Sequence, residues 1–108
     1  MRLTSLQITA ILSVLDPLLS NKNAELRLYG SRTNDTLKGG DIDLLLLLDD
    51  PESLEELNKN KHYLLAHIKN KIGDQKIDFL FSLKENIKID AFLKIIYPES
   101  IALKIWSS

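Results

Sequence analysis

Two carboxylates stand two residues apart at the head of an apolar run, Asp41 and Asp43 in DIDLLLLL. In an extended strand, residues i and i+2 project to one face, so these side chains lie together with their α-carbons roughly 6–7 Å apart. Ionised at that range they repel, and burial raises the pKa of at least one of them. A divalent cation removes the conflict. Hard oxygen ligands suit Mg²⁺, and two ions about 3.5–4 Å apart, bridged by such a pair, clamp the attacking and leaving oxygens of a phosphoryl transfer. Asp78, between Ile77 and Phe79, is the third candidate, because an unpaired charge inside an apolar strand is costly. If its strand lies beside 41–48, Asp78 reaches the same metal and is placed to accept a proton from an incoming hydroxyl. An edge-strand aspartate facing water has the same appearance in sequence. Asp49 and Asp50 read as turn and cap residues.

Upstream, Tyr29 is followed by Gly30-Ser31 and the polar stretch Arg32 to Gly40. A metal-bound triphosphate needs close backbone approach and donor groups. Gly30 permits the approach, and Ser31 offers a backbone N–H and a hydroxyl. A helical turn after Ser31 would add the partial positive charge of its N-terminus. Arg32 and Lys38 are candidate phosphate partners.

The elements that must position these groups are legible in the periodicity. Residues 4–20 predict an amphipathic helix opened by Thr4 and Gln7 at capping-box spacing, with Pro17 late in it. Residues 24–29 alternate and predict a strand with one apolar face. Residues 41–48, apolar beyond the aspartates, predict a central strand buried on both faces. Asp50 and Pro51 predict the N-cap and first residue of one long helix over 51–72, closed by Gly73. QKIDFLF, 75–81, predicts a third strand. A short helix is expected over 88–97 and a last strand over 101–106. The order α-β-β-α-β-α-β makes the fold class α/β (α+β): a small mixed β-sheet with helices packed mainly on one face. Leu45 and Leu47 share a strand face with the aspartates and need an apolar cover. The C-terminal segment (Ile95, Ile96, Ile101, Leu103, Ile105, Trp106) or a partner protein would supply it.

The chain has 108 residues, which favours one domain over 1–108, and 44% hydrophobic with 27% charged residues is ordinary for a globular protein. A net charge of −1 demands neither nucleic acid nor an anionic membrane as partner. With no cysteine, disulfides and thiolate metal sites are excluded. No signal peptide and no membrane span are read, so a cytoplasmic protein is expected. The basic stretch 58–71 reads as a solvated helix face with lysine stems over the core, and not as a nucleic-acid patch. Within it, His62 and His67 do not share a helical face and are not read as a metal pair.

Gly30-Ser31, nine intervening residues, then Asp41-Ile42-Asp43-Leu44 resembles the signature of the DNA polymerase beta-like nucleotidyltransferase superfamily. Within it, the short chain resembles the minimal nucleotidyltransferases, the MNT family, and the likeness covers most of the length. The resemblance implies that Asp41, Asp43 and Asp78 bind Mg²⁺, that Asp78 can act as base, and that Gly30 and Ser31 hold phosphates. It implies transfer of a nucleoside monophosphate from an NTP, AMP from ATP in the leading case, with pyrophosphate leaving. Many MNT proteins are encoded with a HEPN-domain partner, act as its antitoxin, and in some cases transfer AMP to a tyrosine of that toxin.

The chain departs from the family pattern in the loop. Members often read GSRARG, whereas this chain reads GSRTND, with Asn34 in place of the later arginine, Asp35 near the expected triphosphate, and Gly40 where a serine often precedes the first aspartate. The metal ligands are intact. The loop favours the competing expectation, an idle antitoxin that neutralises its partner by occlusion. Transfer to RNA or to a small-molecule hydroxyl is a third, for which no acceptor site is legible. A substrate-holding domain is not evident in so short a chain, so the acceptor is expected from another polypeptide, a HEPN-type protein, or from another subunit of a homo-oligomer.

Overall fold

The computed structural model describes residues 3–33, 41–73 and 75–108. Helix α1 runs Ser5–Leu19. The expected capping box closes its start: Gln7 N–H donates to Thr4 Oγ1 at 3.1 Å and Thr4 N–H donates to Gln7 Oε1 at 2.9 Å. The helix carries Pro17 within its last turn and buries Ile11, Leu15 and Leu19. Strand β1, Ala24–Tyr29, follows. A short 3-10 turn, Gly30–Thr33, leads away from it. Strand β2 is Ile42–Leu48, so Asp41 precedes the strand by one residue.

The segment 51–72, expected as one helix, is two: α2, Pro51–Lys59, and α3, Lys61–Ile72. Asn60 divides them at φ −104°, ψ 7°. Its side-chain amide donates to the Glu56 carbonyl at 3.0 Å and its backbone N–H to the Leu57 carbonyl at 3.2 Å. Such local bonding competes with the helical ladder and lets the chain turn. Asp50 caps α2 as expected, accepting the Ser53 N–H at 2.9 Å, and Gly73 ends α3 at φ 95°. The third strand sits two residues later than expected, β3 being Ile77–Leu83. The expected helix 88–97 is shorter, α4, Ala91–Ile96. Single 3-10 turns, Lys84–Lys88 and Tyr97–Glu99, flank it. Strand β4, Ile101–Trp106, closes the fold.

The sheet order is β3-β2-β1-β4. β1 is antiparallel to β2 and to β4, and β2 is parallel to β3. A parallel pair needs a long crossover, which α2 and α3 provide. The sheet is mixed and β2 is central, as its leucine run predicts. One face, with Leu26, Leu28, Leu44, Leu46 and Phe79, packs under α1, α2 and α3. The opposite face holds a second cluster of Leu45, Leu47 and Leu93, with Tyr29, Leu80, Ile87, Ile96 and Tyr97 against it.

The C-terminal segment thus does cover Leu45 and Leu47, but through different residues from most of those expected. Of the expected set, Ile96 joins this cluster, while Leu103 and Trp106 belong to the first. Ile95 and Ile105 stay exposed. The indole N–H of Trp106 donates to Asp16 Oδ1 at 2.8 Å, fastening β4 to α1. No helix among the described residues is long and apolar enough to cross a membrane.

Candidate active site

The site forms where β1 ends and β2 and β3 begin, on the thinly covered face of the sheet. The parallel register sets Asp43 directly opposite Asp78, and the antiparallel register sets Tyr29 opposite Asp43. Asp41 is half-buried just before β2, Asp43 is half-buried, and Asp78 is exposed on the edge strand β3. The Asp43 and Asp78 carboxyls are near enough to act on each other, by charge and, with a proton between them, by a hydrogen bond. Burial, the Asp78 charge and hydrogen bond, and the Asp41 charge together push the Asp43 carboxyl up to about 6, against a smaller opposing pull from Lys76. The Tyr29 phenol is likewise raised, by burial and then by Asp43 and Asp78.

Asp41 turns to a cation. Lys76 Nζ lies 3.5 Å from Asp41 Oδ2. The sequence therefore brings two of its three expected ligands into contact, with the third alongside and held by a lysine. Among the described residues no group of three His, Cys, Asp or Glu side chains gathers into a metal site.

Gly30 is fitted to this corner in two ways. Its φ of +79° is in the left-handed region, where a side chain is strained. A Cβ there would also collide with Asp43 Oδ2 and stand 3.2 Å from Asp43 Cγ. The glycine lets the carboxylate lie against bare backbone. The helical turn expected after it is present as Gly30–Thr33, with Thr33 Oγ1 donating to the Gly30 carbonyl at 2.7 Å. Ser31 and the half-buried Arg32 are in that turn. Lys38, Asn34, Asp35 and Gly40 lie outside the described residues.

Three neighbours of the site were not singled out from sequence. Lys76 could have been, since it stands two residues before Asp78 and shares its side of the chain. Tyr29 and Phe92 meet edge to face with ring centroids 6.0 Å apart. Tyr29 was legible as the residue opposite Asp43 only once the register was known. Phe92 carried no signal beyond its apolar type. Phe92 is half exposed, and Ile89 and Ile95, also on this segment, are 75% and 70% exposed.

Deeper on the same face, Glu25 is only 6% exposed. Arg27 pairs with it. The Arg27 guanidinium donates to the Ser100 carbonyl at 3.0 Å and to Ser100 Oγ, and lies 4.5 Å over the Tyr97 ring. This network ties the turn after α4 to β1 and so holds the cover over Leu45 and Leu47.

A mixed sheet that carries paired carboxylates beside a glycine turn has the oxygen donors of a hard-cation site and the open backbone of a phosphate site. The family comparison agrees: the model described as "Nucleotidyltransferase domain" matches residues 9–103, from within α1 into β4. The chain belongs to the nucleotidyltransferase domain family, whose chemistry is nucleotidyl transfer. No curated protein matches it.

Proposed function

We propose that this chain is a minimal nucleotidyltransferase that moves AMP from ATP, with Mg²⁺, to a hydroxyl on a second polypeptide, in the leading case a tyrosine of a HEPN-type toxin that it restrains as antitoxin. The observation that carries this reading is the Asp43–Asp78 pair, aligned by the parallel register of β2 and β3 against the bare backbone of Gly30.

The donor set fits a divalent ion. Asp43 and Asp78 face each other across the register, with Asp41 just before β2, and the Asp43 carboxyl is held near 6 by burial and by the charges of both. A dication is the partner that relieves such a set. Asp41, Asp43 and Asp78 would hold it. When bound, it neutralises the phosphates and the charge that develops on the leaving pyrophosphate.

The protein's own groups do the rest. Gly30 and the turn it opens present backbone to the phosphates, with Ser31 and Arg32 in that turn. Asp78 is on an edge strand and exposed, so an acceptor hydroxyl can approach it from solvent. It takes the hydroxyl proton as the acceptor oxygen bonds to the α-phosphorus, while the α–β bridging bond breaks and pyrophosphate departs. The exposed side chains of Ile89, Phe92 and Ile95, with Phe92 packed on Tyr29 opposite Asp43, support an acceptor delivered by another chain, because exposed apolar patches mark a protein contact.

The test is incubation with Mg²⁺, ATP labelled on its α-phosphate, and the protein encoded next to this one. Label should pass to that protein with wild type and fail with Asp41→Ala plus Asp43→Ala. Equal labelling by both sinks the reading. The same exposed apolar side chains favour a second reading, neutralisation by occlusion. A double variant that still silences the toxin without transferring label would select it.

A further inference from the structure

Lys76 reaches into the acidic corner from the start of β3. Its ammonium lies 3.5 Å from Asp41 Oδ2, with the side chains 70% and 39% exposed. Its charge also acts on Asp43, favouring the carboxylate form. The backbone beneath it is fixed, since the Lys76 carbonyl accepts the Ile42 N–H at 3.1 Å, one residue from Asp41. The stem is therefore anchored at the head of β2, while the flexible, solvated head group can leave without moving the strands.

A divalent ion held by Asp41 requires the same carboxylate that the ammonium now faces. The two cations repel at that range, so metal entry and the Lys76–Asp41 pair are in competition. A nucleotide changes the balance. Its phosphates offer the displaced ammonium a new anionic partner within reach of the same corner. We propose that Lys76 is a resident counter-ion, a positioning residue that holds the place of the metal at Asp41 and passes to the nucleotide's phosphates when metal and substrate load together. Metal alone then binds weakly, and the metal–nucleotide complex binds well. This inference rests on the metal reading of the site given above.

The experiment measures binding, without turnover. Mn²⁺ alone is titrated against wild type, Lys76→Gln, Lys76→Arg, and Asp41→Ala plus Asp43→Ala, with free Mn²⁺ read by electron paramagnetic resonance. The titration is repeated with a non-hydrolysable ATP analogue. Lys76→Gln should bind Mn²⁺ alone roughly two- to fivefold more tightly than wild type, the scale of one exposed ion pair. Lys76→Arg should match wild type, and the gain should shrink at high salt. With the analogue present, Lys76→Gln should bind more weakly than wild type. Unchanged or weaker Mn²⁺ affinity in Lys76→Gln overturns the competition, and a gain that persists with the analogue overturns the hand-over. If wild type binds no more Mn²⁺ than the double aspartate variant, the metal reading fails and this inference with it. If wild type binds and Lys76→Gln binds equally, only this inference fails.

Discussion

Asp43→Asn should make the metal-free protein more stable at neutral pH while abolishing its activity. Asp43 is an acid whose pKa rises from its ordinary 3.8 to about 6 on folding. The folded state therefore holds the proton more tightly than the unfolded state does. The stabilisation that comes with the bound proton is fully present below pH 3.8 and is lost as pH rises through about 6. At pH 7.5 the ionised carboxylate is a net burden. The rise corresponds to about 3 kcal/mol at about 1.36 kcal/mol per pH unit. Asp43 is only half-buried, so solvent screens the charges, and the expected gain is on the order of 1 kcal/mol. For a chain of this length that is a rise in Tm of about 4–8 °C. The assay is thermal and urea denaturation in EDTA at pH 7.5 and pH 4. The amide should stabilise at pH 7.5, and most of the gain should vanish at pH 4, where wild type carries the proton. A variant that is destabilised at pH 7.5, or equally stabilised at both pH values, refutes the carboxylate conflict as the physical basis of the site.

Gly30→Ala combines a strained φ with a Cβ driven into the Asp43 carboxylate, so it should cost about 1–2 kcal/mol in urea denaturation and depress label transfer more than its stability loss explains. Arg27→Met leaves the buried Glu25 with only the half-exposed Lys84 at 4.0 Å; a loss of roughly 2–3 kcal/mol is expected, much of it recovered when Glu25→Gln is added, as read by a double-mutant cycle. Asp78→Asn should lower the transfer rate by about 10²–10⁴, the range for loss of a general base, while the melting temperature at pH 7.5 stays the same or rises, because one of the repelling charges is gone.

How much of this was visible in the residues depends on how local the cause is. The capping box at Thr4, the Asp50–Pro51 helix start and the buried leucine run of β2 are set within a few residues of chain, and each is where periodicity and cap chemistry put it. The Asn60 break was missed because the hydrophobic period of 54–72 continues through it, while the bonds that interrupt the helix are made by one amide side chain. The polar side of β1 was misleading in another way. Glu25 and Arg27 alternate like solvent-facing residues, yet Tyr97 and Ser100, seventy or more positions later, come to lie against Arg27. The site divides along the same line. Asp41 and Asp43 are neighbours in sequence and announce themselves, whereas the pairing of Asp43 with Asp78 is a fact of strand register, and the Lys76 contact is a fact of where β3 begins.

The placement of the carboxylates also bears on why β2 is so uniformly apolar. Asp43 brings a charge conflict into the centre of the sheet, at the end of the strand that every other strand depends on directly or through one neighbour. A half-buried, like-charged pair loosens the strand end it sits on. Against it stand Leu44, Leu45, Leu46, Leu47 and Leu48, all at 0–1% exposure. Burial of each such side chain contributes about 1.5–3 kcal/mol, so two of them outweigh the discounted cost of the carboxylates. The conflict then stays confined to the strand's mouth and does not propagate into the register. A ligand that neutralises the corner adds stability in proportion to its binding. Metal with nucleotide should therefore raise Tm more at pH 7.5 than at pH 5, where Asp43 must first give up its proton. An equal rise at both pH values would mean that the ligand does not engage Asp43.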